Sequence, residues 1–199
     1  MKAAEKILND LIAGNQRFLQ GSTKGKAWQG SQKNTEQSPK AIVLGCSDSR
    51  VPVEIVFDQD PGDLFVIRVA GNIAGASQIG SIEYAAEQFN VPLVIVLGHT
   101  DCGAIKATMM ALQNHNTVTS ENQGSIVDHI APAISERCST NTSLVDNQQA
   151  LQCLQANIRA SAKQLTQDST ILADLTASKQ LTVISAYYDI ETGTVNIID

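Results

Sequence analysis

The chain has 199 residues, with 14 Lys and Arg against 20 Asp and Glu, a net charge of −6 and 43% apolar residues. That length suits one domain with a sizeable core, and the acid excess argues against a nucleic-acid binder, which carries a basic stripe. No apolar run reaches the length of a membrane span, and Met1-Lys2-Ala3-Ala4-Glu5-Lys6 has no apolar stretch of a secretory signal, so a cytoplasmic protein is expected, or a periplasmic one if a signal has been removed.

Positions 3–19 carry Ile7, Leu8, Leu11, Ile12 and Phe18 at helical spacing, with Gly14 and Asn15 loosening the middle. Positions 21–38 are rich in Gly, Ser, Lys and Gln and read as an extended arm, with the only Trp, Trp28, as an anchor on a partner or on the chain itself. Lys2, Lys6, Arg17, Lys24, Lys26, Lys33 and Lys40 make this part basic, which suits an acidic surface on a second subunit or plain solvation. Residues 1–38 are therefore taken as an N-terminal helix and arm, and 39–199 as the core of a single domain.

From position 41 the pattern changes. The runs 41–44 and 93–97 are short, continuous and apolar, which predicts strands buried on both faces, and 64–69 and 181–187 read as two further strands. Helices are expected at 53–57, 78–90, 103–113, 126–137 and 145–165, a loop at 114–124, and a hairpin turn at 189–195 into a last short strand. Strands alternating with helices give an α/β class: a mostly parallel sheet of about four strands plus an edge strand, flanked by helices. Of the four cysteines, Cys138 and Cys153 are expected as free thiols rather than a disulfide.

The remaining two cysteines define the chemistry. The run Ala41-Ile42-Val43-Leu44-Gly45 ends in Cys46-Ser47-Asp48-Ser49-Arg50, and the run Pro92 to Gly98 ends in His99-Thr100-Asp101-Cys102-Gly103. If both strands are parallel in one sheet, their carboxyl ends share the edge where open α/β sheets place ligands. Cys46, His99 and Cys102 can then converge on one zinc and leave a fourth position open, as catalytic zinc sites do. Asp48 and Arg50, two residues apart on one turn, can pair through a bidentate contact. An ion pair is weak evidence for stability, so the cluster points to function.

These segments resemble the zinc signature of the β-class carbonic anhydrases. Gln37-Ser38-Pro39-Lys40, Pro61 to Arg68 and Gly80-Ser81-Ile82-Glu83-Tyr84-Ala85 are similar to further segments of that family, so the likeness runs from about 37 to about 106. The resemblance implies zinc-dependent reversible hydration of carbon dioxide to bicarbonate, with Zn2+ on Cys46, His99 and Cys102. It implies that Asp48, released by Arg50, can become a fourth ligand in a closed state. It implies a pocket of Gln37, Phe65, Ala70, Tyr84 and Gly103 between two subunits, hence a homodimer or a larger assembly such as a tetramer. Two thiolates cancel the charge of zinc, so water there should be less acidic than at a three-His site, where it titrates near ~7. Arg68 and Tyr188 match two residues of an inhibitory bicarbonate site of the family, whereas its Trp is replaced by Val43. Two other functions fit the same residues: hydrolysis of a small heteroallene such as carbonyl sulfide, and a non-catalytic zinc-binding module.

Overall fold

The computed structural model describes residues 3–24, 37–113, 118–136 and 147–198. Trp28 and Cys138 lie outside them.

The order of elements is α1 (Ala3–Leu19), β1 (Ala41–Gly45), α2 (Val53–Val56), β2 (Leu64–Arg68), a short 3-10 turn (Ala70–Asn72), α3 (Ala76–Phe89), β3 (Leu93–His99), α4 (Gly103–Leu112), α5 (Glu121–Ile134), α6 (Asn147–Gln167), α7 (Thr170–Ala177), β4 (Thr182–Tyr188) and β5 (Val195–Ile198). The strands form one sheet in the order β2-β1-β3-β4-β5. Pairs β1–β2, β1–β3 and β3–β4 are parallel and β4–β5 is antiparallel, as the alternation in the sequence implied.

Both central strands are buried at every position, which explains their unbroken apolar runs. Successive side chains alternate between faces. Ile42, Leu44, Val94 and Val96 meet Ile82 of α3, Ile105 and Met109 of α4, Ile130 of α5, Ile158 of α6 and Leu172 of α7. Val43, Ile95 and Leu97 meet Leu11 of α1 and Val53 and Val56 of α2.

Two helical stretches depart from the pattern expected of the sequence. Helix α5 begins inside the expected loop because Ser120 caps it: Ser120 Oγ accepts from Gln123 N at 3.3 Å, while Gln123 Oε1 accepts from Thr119 Oγ1 at 2.8 Å. Ser-x-x-Gln is a readable capping pattern. Helix α7 was not expected. Ser169 starts it by accepting from Leu172 N at 3.0 Å, and its own hydroxyl donates to Glu83 of α3 at 2.5 Å.

Gly14 and Asn15 do not loosen α1; they dock it. Both are buried. Asn15 Nδ2 donates to Val56 O at 3.1 Å and to Gly193 O at 2.9 Å, and its Oδ1 accepts from Val195 N at 3.0 Å. One amide thus joins α1 to α2 and to the β4–β5 hairpin. A Cβ on Gly14 would fall 1.9 Å from the Phe57 carbonyl oxygen, which is backbone and cannot rotate away. Gly14→Ala is therefore expected to push α1 off the core and destabilise the fold by about 1–3 kcal/mol or more. Urea or thermal unfolding reads this directly, and an unchanged midpoint would contradict the docking.

Candidate metal centre

Strands β1 and β3 are neighbours with Gly45 level with Leu97, so the chain leaves both at the same edge of the sheet. β2 lies on one side of β1 and β3 on the other, which opens a crevice between them at that edge. Cys46 follows β1, His99 ends β3, and Cys102 caps α4. One ligand atom from each of these three buried residues lies within 4.8 Å of the others. The structure thus brings together the three residues expected from the strand ends.

His99 is poised as a donor to a metal. Its Nδ1 lies 2.8 Å from Thr100 O, a contact that requires the proton on Nδ1. Its Nε2 is buried and has no hydrogen-bond partner among the described residues. Burying such a lone pair without a partner is costly, and a metal ion would satisfy it. Two thiols and an imidazole form a soft donor set that suits zinc among the common divalent ions.

The three groups share protons. The Cys46 thiol is lowered to about 4, first by the hydrogen bond from Cys102; burial opposes this, and the His99 ring and the N–H groups of Asp48 and Gly71 add to it. Cys102 is raised, first because its proton is held by Cys46 and then by burial. Burial disfavours charge on His99, but the neighbouring Cys46 thiolate and the Thr100 carbonyl outweigh that and raise the ring above its ordinary value. Without metal, then, Cys102 keeps a proton that a metal must displace, and the raised His99 ring takes up a competing proton more readily as pH falls. Metal affinity is expected to fall as pH is lowered from mildly alkaline to mildly acidic. Competition with a chelator at several pH values measures it, and a pH-independent affinity would contradict the assignment.

Asp48 and Arg50 stand beside this cluster. Asp48 Oδ1 accepts from Arg50 N and Nε, each at 2.9 Å, and Oδ2 accepts from Nη2 at 2.8 Å. The Arg50 guanidinium holds the Asp48 carboxyl well below the usual carboxylate range, against a smaller burial effect. Asp48 Oδ2 is also 3.9 Å from His99 Nε2. Arg68, at the end of β2, braces the turn: Nε donates to Cys46 O at 2.9 Å and Nη2 to Asp48 O. Those donors are committed to the chain's own backbone, and Tyr188 is buried in β4 level with His99.

The other residues expected in a pocket divide into two groups. Ala70 stands in the turn whose next residue, Gly71, points its N–H at Cys46. Gly103 opens α4, and a Cβ there would meet nothing within 4 Å, so its place borders open space rather than a close contact. Phe65 and Tyr84 pack together with ring centroids 6.4 Å apart, and Phe89 lies 5.7 Å from Tyr84. Phe65 is level with Ile42, however, four residues before Cys46 along the strand direction. Gln37 is exposed and precedes β1, roughly 16 Å of strand away from Cys46. A single chain does not gather Gln37, Phe65 and Tyr84 around the cysteines.

One residue at the site was not singled out from the sequence. Asp101, between His99 and Cys102 at the second strand end, accepts from Arg50 Nη1 at 3.0 Å and from Lys106 Nζ. Its signal was its place inside His99-Thr100-Asp101-Cys102, where any side chain is held close to the ligands.

The carbonic anhydrase family model matches residues 41–195. A carbonic anhydrase of Mycolicibacterium smegmatis is 37% identical over 199 residues, covering 98% of this chain and 92% of that protein. Carbonic anhydrase 2 of Mycobacterium tuberculosis is 33% identical over 194 residues, covering 96% and 89%. Among solved structures, the β-carbonic anhydrase CcaA superposes with a TM-score of 0.73 at 27% identity, covering 97% of this chain and 95% of that one.

Proposed function

The chain belongs to the β-carbonic anhydrase family, and from that premise we propose that it hydrates carbon dioxide reversibly to bicarbonate on one zinc ion held by Cys46, His99 and Cys102. The observation that carries this reading is the buried Nε2 of His99, without a hydrogen-bond partner among the described residues and close to two thiols, beside an Asp–Arg pair. Zinc bound there supplies Lewis acidity and a lowered pKa for water at neutral pH.

The chain's own residues supply orientation. Asp48, ionised and held by Arg50 from three donors, accepts a hydrogen bond from the attacking nucleophile and fixes its lone pair toward carbon dioxide. Gly103 opens α4 next to Cys102 and borders open space, and its N–H is assigned to the product anion. Carbon dioxide is small and uncharged, so apolar walls suffice, and Ala70, Phe65 and Tyr84 serve as such. Gln37 donates to a bicarbonate oxygen.

Gln37, Phe65 and Tyr84 reach the centre only from a second copy, so the working form is read as a homodimer. Tyr84 is 52% exposed on one chain, which supports that reading. The chain is read as one domain, because α1 packs into the same core as the sheet. A reducing cytoplasm protects two thiolates from oxidation, which favours that location. Among the described residues no helix is long and apolar enough to cross a membrane.

Stopped-flow hydration of carbon dioxide by zinc-loaded protein, with carbonyl sulfide hydrolysis in parallel, tests the activity. Turnover of carbon dioxide is expected to dominate. Turnover of carbonyl sulfide alone, or none of either by fully loaded protein, would overturn the proposal. Sedimentation at high dilution tests the assembly, and a fully active monomer would contradict the shared pocket.

A further inference from the structure

We propose that Asp101 is a positioning residue that holds the outer corner of the Arg50 guanidinium, so that its inner edge stays on Asp48 and keeps that carboxylate off the metal. The proposal rests on the reading of Cys46, His99 and Cys102 as metal ligands.

The geometry divides Arg50 between two carboxylates without competition. Nε and Nη2 form the edge that grips both oxygens of Asp48. Nη1 donates to Asp101 Oδ2 at 3.0 Å, and Nη2 also points at the Asp101 carbonyl at 3.4 Å. A guanidinium is a rigid plane, so fixing its Nη1 corner fixes the direction of the Nε–Nη2 edge. Asp101 takes no donor that both Asp48 oxygens need.

Exposure decides the sign. The side chains of Arg50 and Asp101 are 46% and 50% exposed. Attraction between such charges is screened by solvent, so Asp101 draws Arg50 away from Asp48 only weakly. What it removes is the rotational freedom of a long, solvated side chain. Lys106, on the first turn of α4, holds the other oxygen of Asp101 and keeps that side chain over Arg50.

The backbone makes this placement a property of the metal turn itself. His99 and Cys102 must reach one point from three residues apart, and Asp101 closes the turn with φ of 63°. Thr100 anchors it, with N donating to Tyr188 O at 3.0 Å and Oγ1 accepting from Ile190 N at 3.0 Å. A left-handed residue is tolerated best by Gly, Asn and Asp. Among these, Asp alone brings a charged acceptor to Arg50.

Those same tolerances supply the test. Asp101→Gly removes the carboxylate without straining the turn, and Asp101→Asn keeps an uncharged acceptor. In metal-free protein, relaxation of the Arg50 Nε–H group reads its order. In zinc-loaded protein, the carboxylate carbon resonance of Asp48 reads the fraction on the metal. In Asp101→Gly, Arg50 is expected to become mobile and the metal-bound fraction of Asp48 to rise several-fold, with zinc content and thermal midpoint unchanged. Asp101→Asn is expected to fall between that variant and the natural protein. Unchanged Arg50 order, or an unchanged or smaller bound fraction in Asp101→Gly, overturns the proposal. Loss of zinc in Asp101→Gly alone overturns the proposal as well, whereas failure of the natural protein to take up zinc would overturn the metal reading instead, while Arg50 order in metal-free protein still decides the role of Asp101 as a clamp.

Discussion

Cys46→Ala is expected to lose zinc and carbon dioxide hydration together. The substitution leaves one thiol and one imidazole, too few for tight binding of an ion that takes at least three protein ligands in catalytic sites. Asp48 is a neighbouring group that could replace the thiolate, and three donors from Arg50 hold it away. The metal-free variant carries an independent signature. His99 is raised by the neighbouring Cys46 thiolate against the opposing effect of burial. Without the thiolate, burial remains and the ring should titrate lower than in the natural protein. Elemental analysis reads the zinc, and proton NMR reads the His99 ring. Full zinc occupancy in Cys46→Ala would remove Cys46 from the ligand set.

Much of this site was legible because Cys46 and His99 sit at strand ends. A short β-branched run that stops at Gly can be read as a buried strand without any partner in view. Two such runs, each ending in Cys or His, therefore announced a shared edge, and β1 and β3 are indeed adjacent and parallel. The Asp48–Arg50 pair was legible for the same reason, since two residues on one turn must be near each other. Asp101 was not, because its partner Arg50 is 51 residues away and the contact depends on how two turns face each other across the crevice. Arg68 shows the same limit. Read along the chain it matched a residue of an anion site; in the fold its donors go to the carbonyls of Cys46 and Asp48.

The N-terminal helix shows a different limit. Gly14 and Asn15 looked like weak points because their intrinsic helix propensity is low. In the fold they are the residues that let α1 approach: Gly14 because no side chain fits against Phe57, and Asn15 because one amide can satisfy three backbone groups on two other elements. Tertiary contact overrides propensity here, and no local pattern encodes it. Helix α7 was missed for a related reason. Its eight residues are too few to show a clear period, and its start is fixed by Ser169, whose hydroxyl also reaches Glu83 of α3.

Arg50→Ala is expected to retain zinc while hydration falls about 10–100-fold, the usual cost of losing an outer partner at a metal centre. Among the described residues the Arg50 side chain donates to Asp48 and Asp101 and not to Cys46, His99 or Cys102, so the ligand set should survive. Asp48 would not survive unchanged. Its carboxyl lies below the usual range first because of the Arg50 side chain, so its titration should move up toward the ordinary value of about 3.9. A group depressed in this way contributes stability at pH above its ordinary value and loses it as pH falls through the folded value. Removing Arg50 therefore costs stability near neutral pH and little in strong acid. The same low value fixes the pH dependence of turnover. Asp48 is anionic throughout the neutral and alkaline range, so it does not itself titrate there. The nucleophile must also be anionic, and acid removes it while leaving the Asp48 carboxylate charged, 3.9 Å from His99 Nε2 and able to take its place. Activity of the natural protein should thus climb from neutral to moderately alkaline pH. In Arg50→Ala nothing draws the carboxylate back, and the climb should be displaced to higher pH. Rate profiles of both proteins, with zinc measured alongside, decide it: a flat profile for the natural protein, or near-normal turnover in Arg50→Ala, would show that the pair does not govern the site.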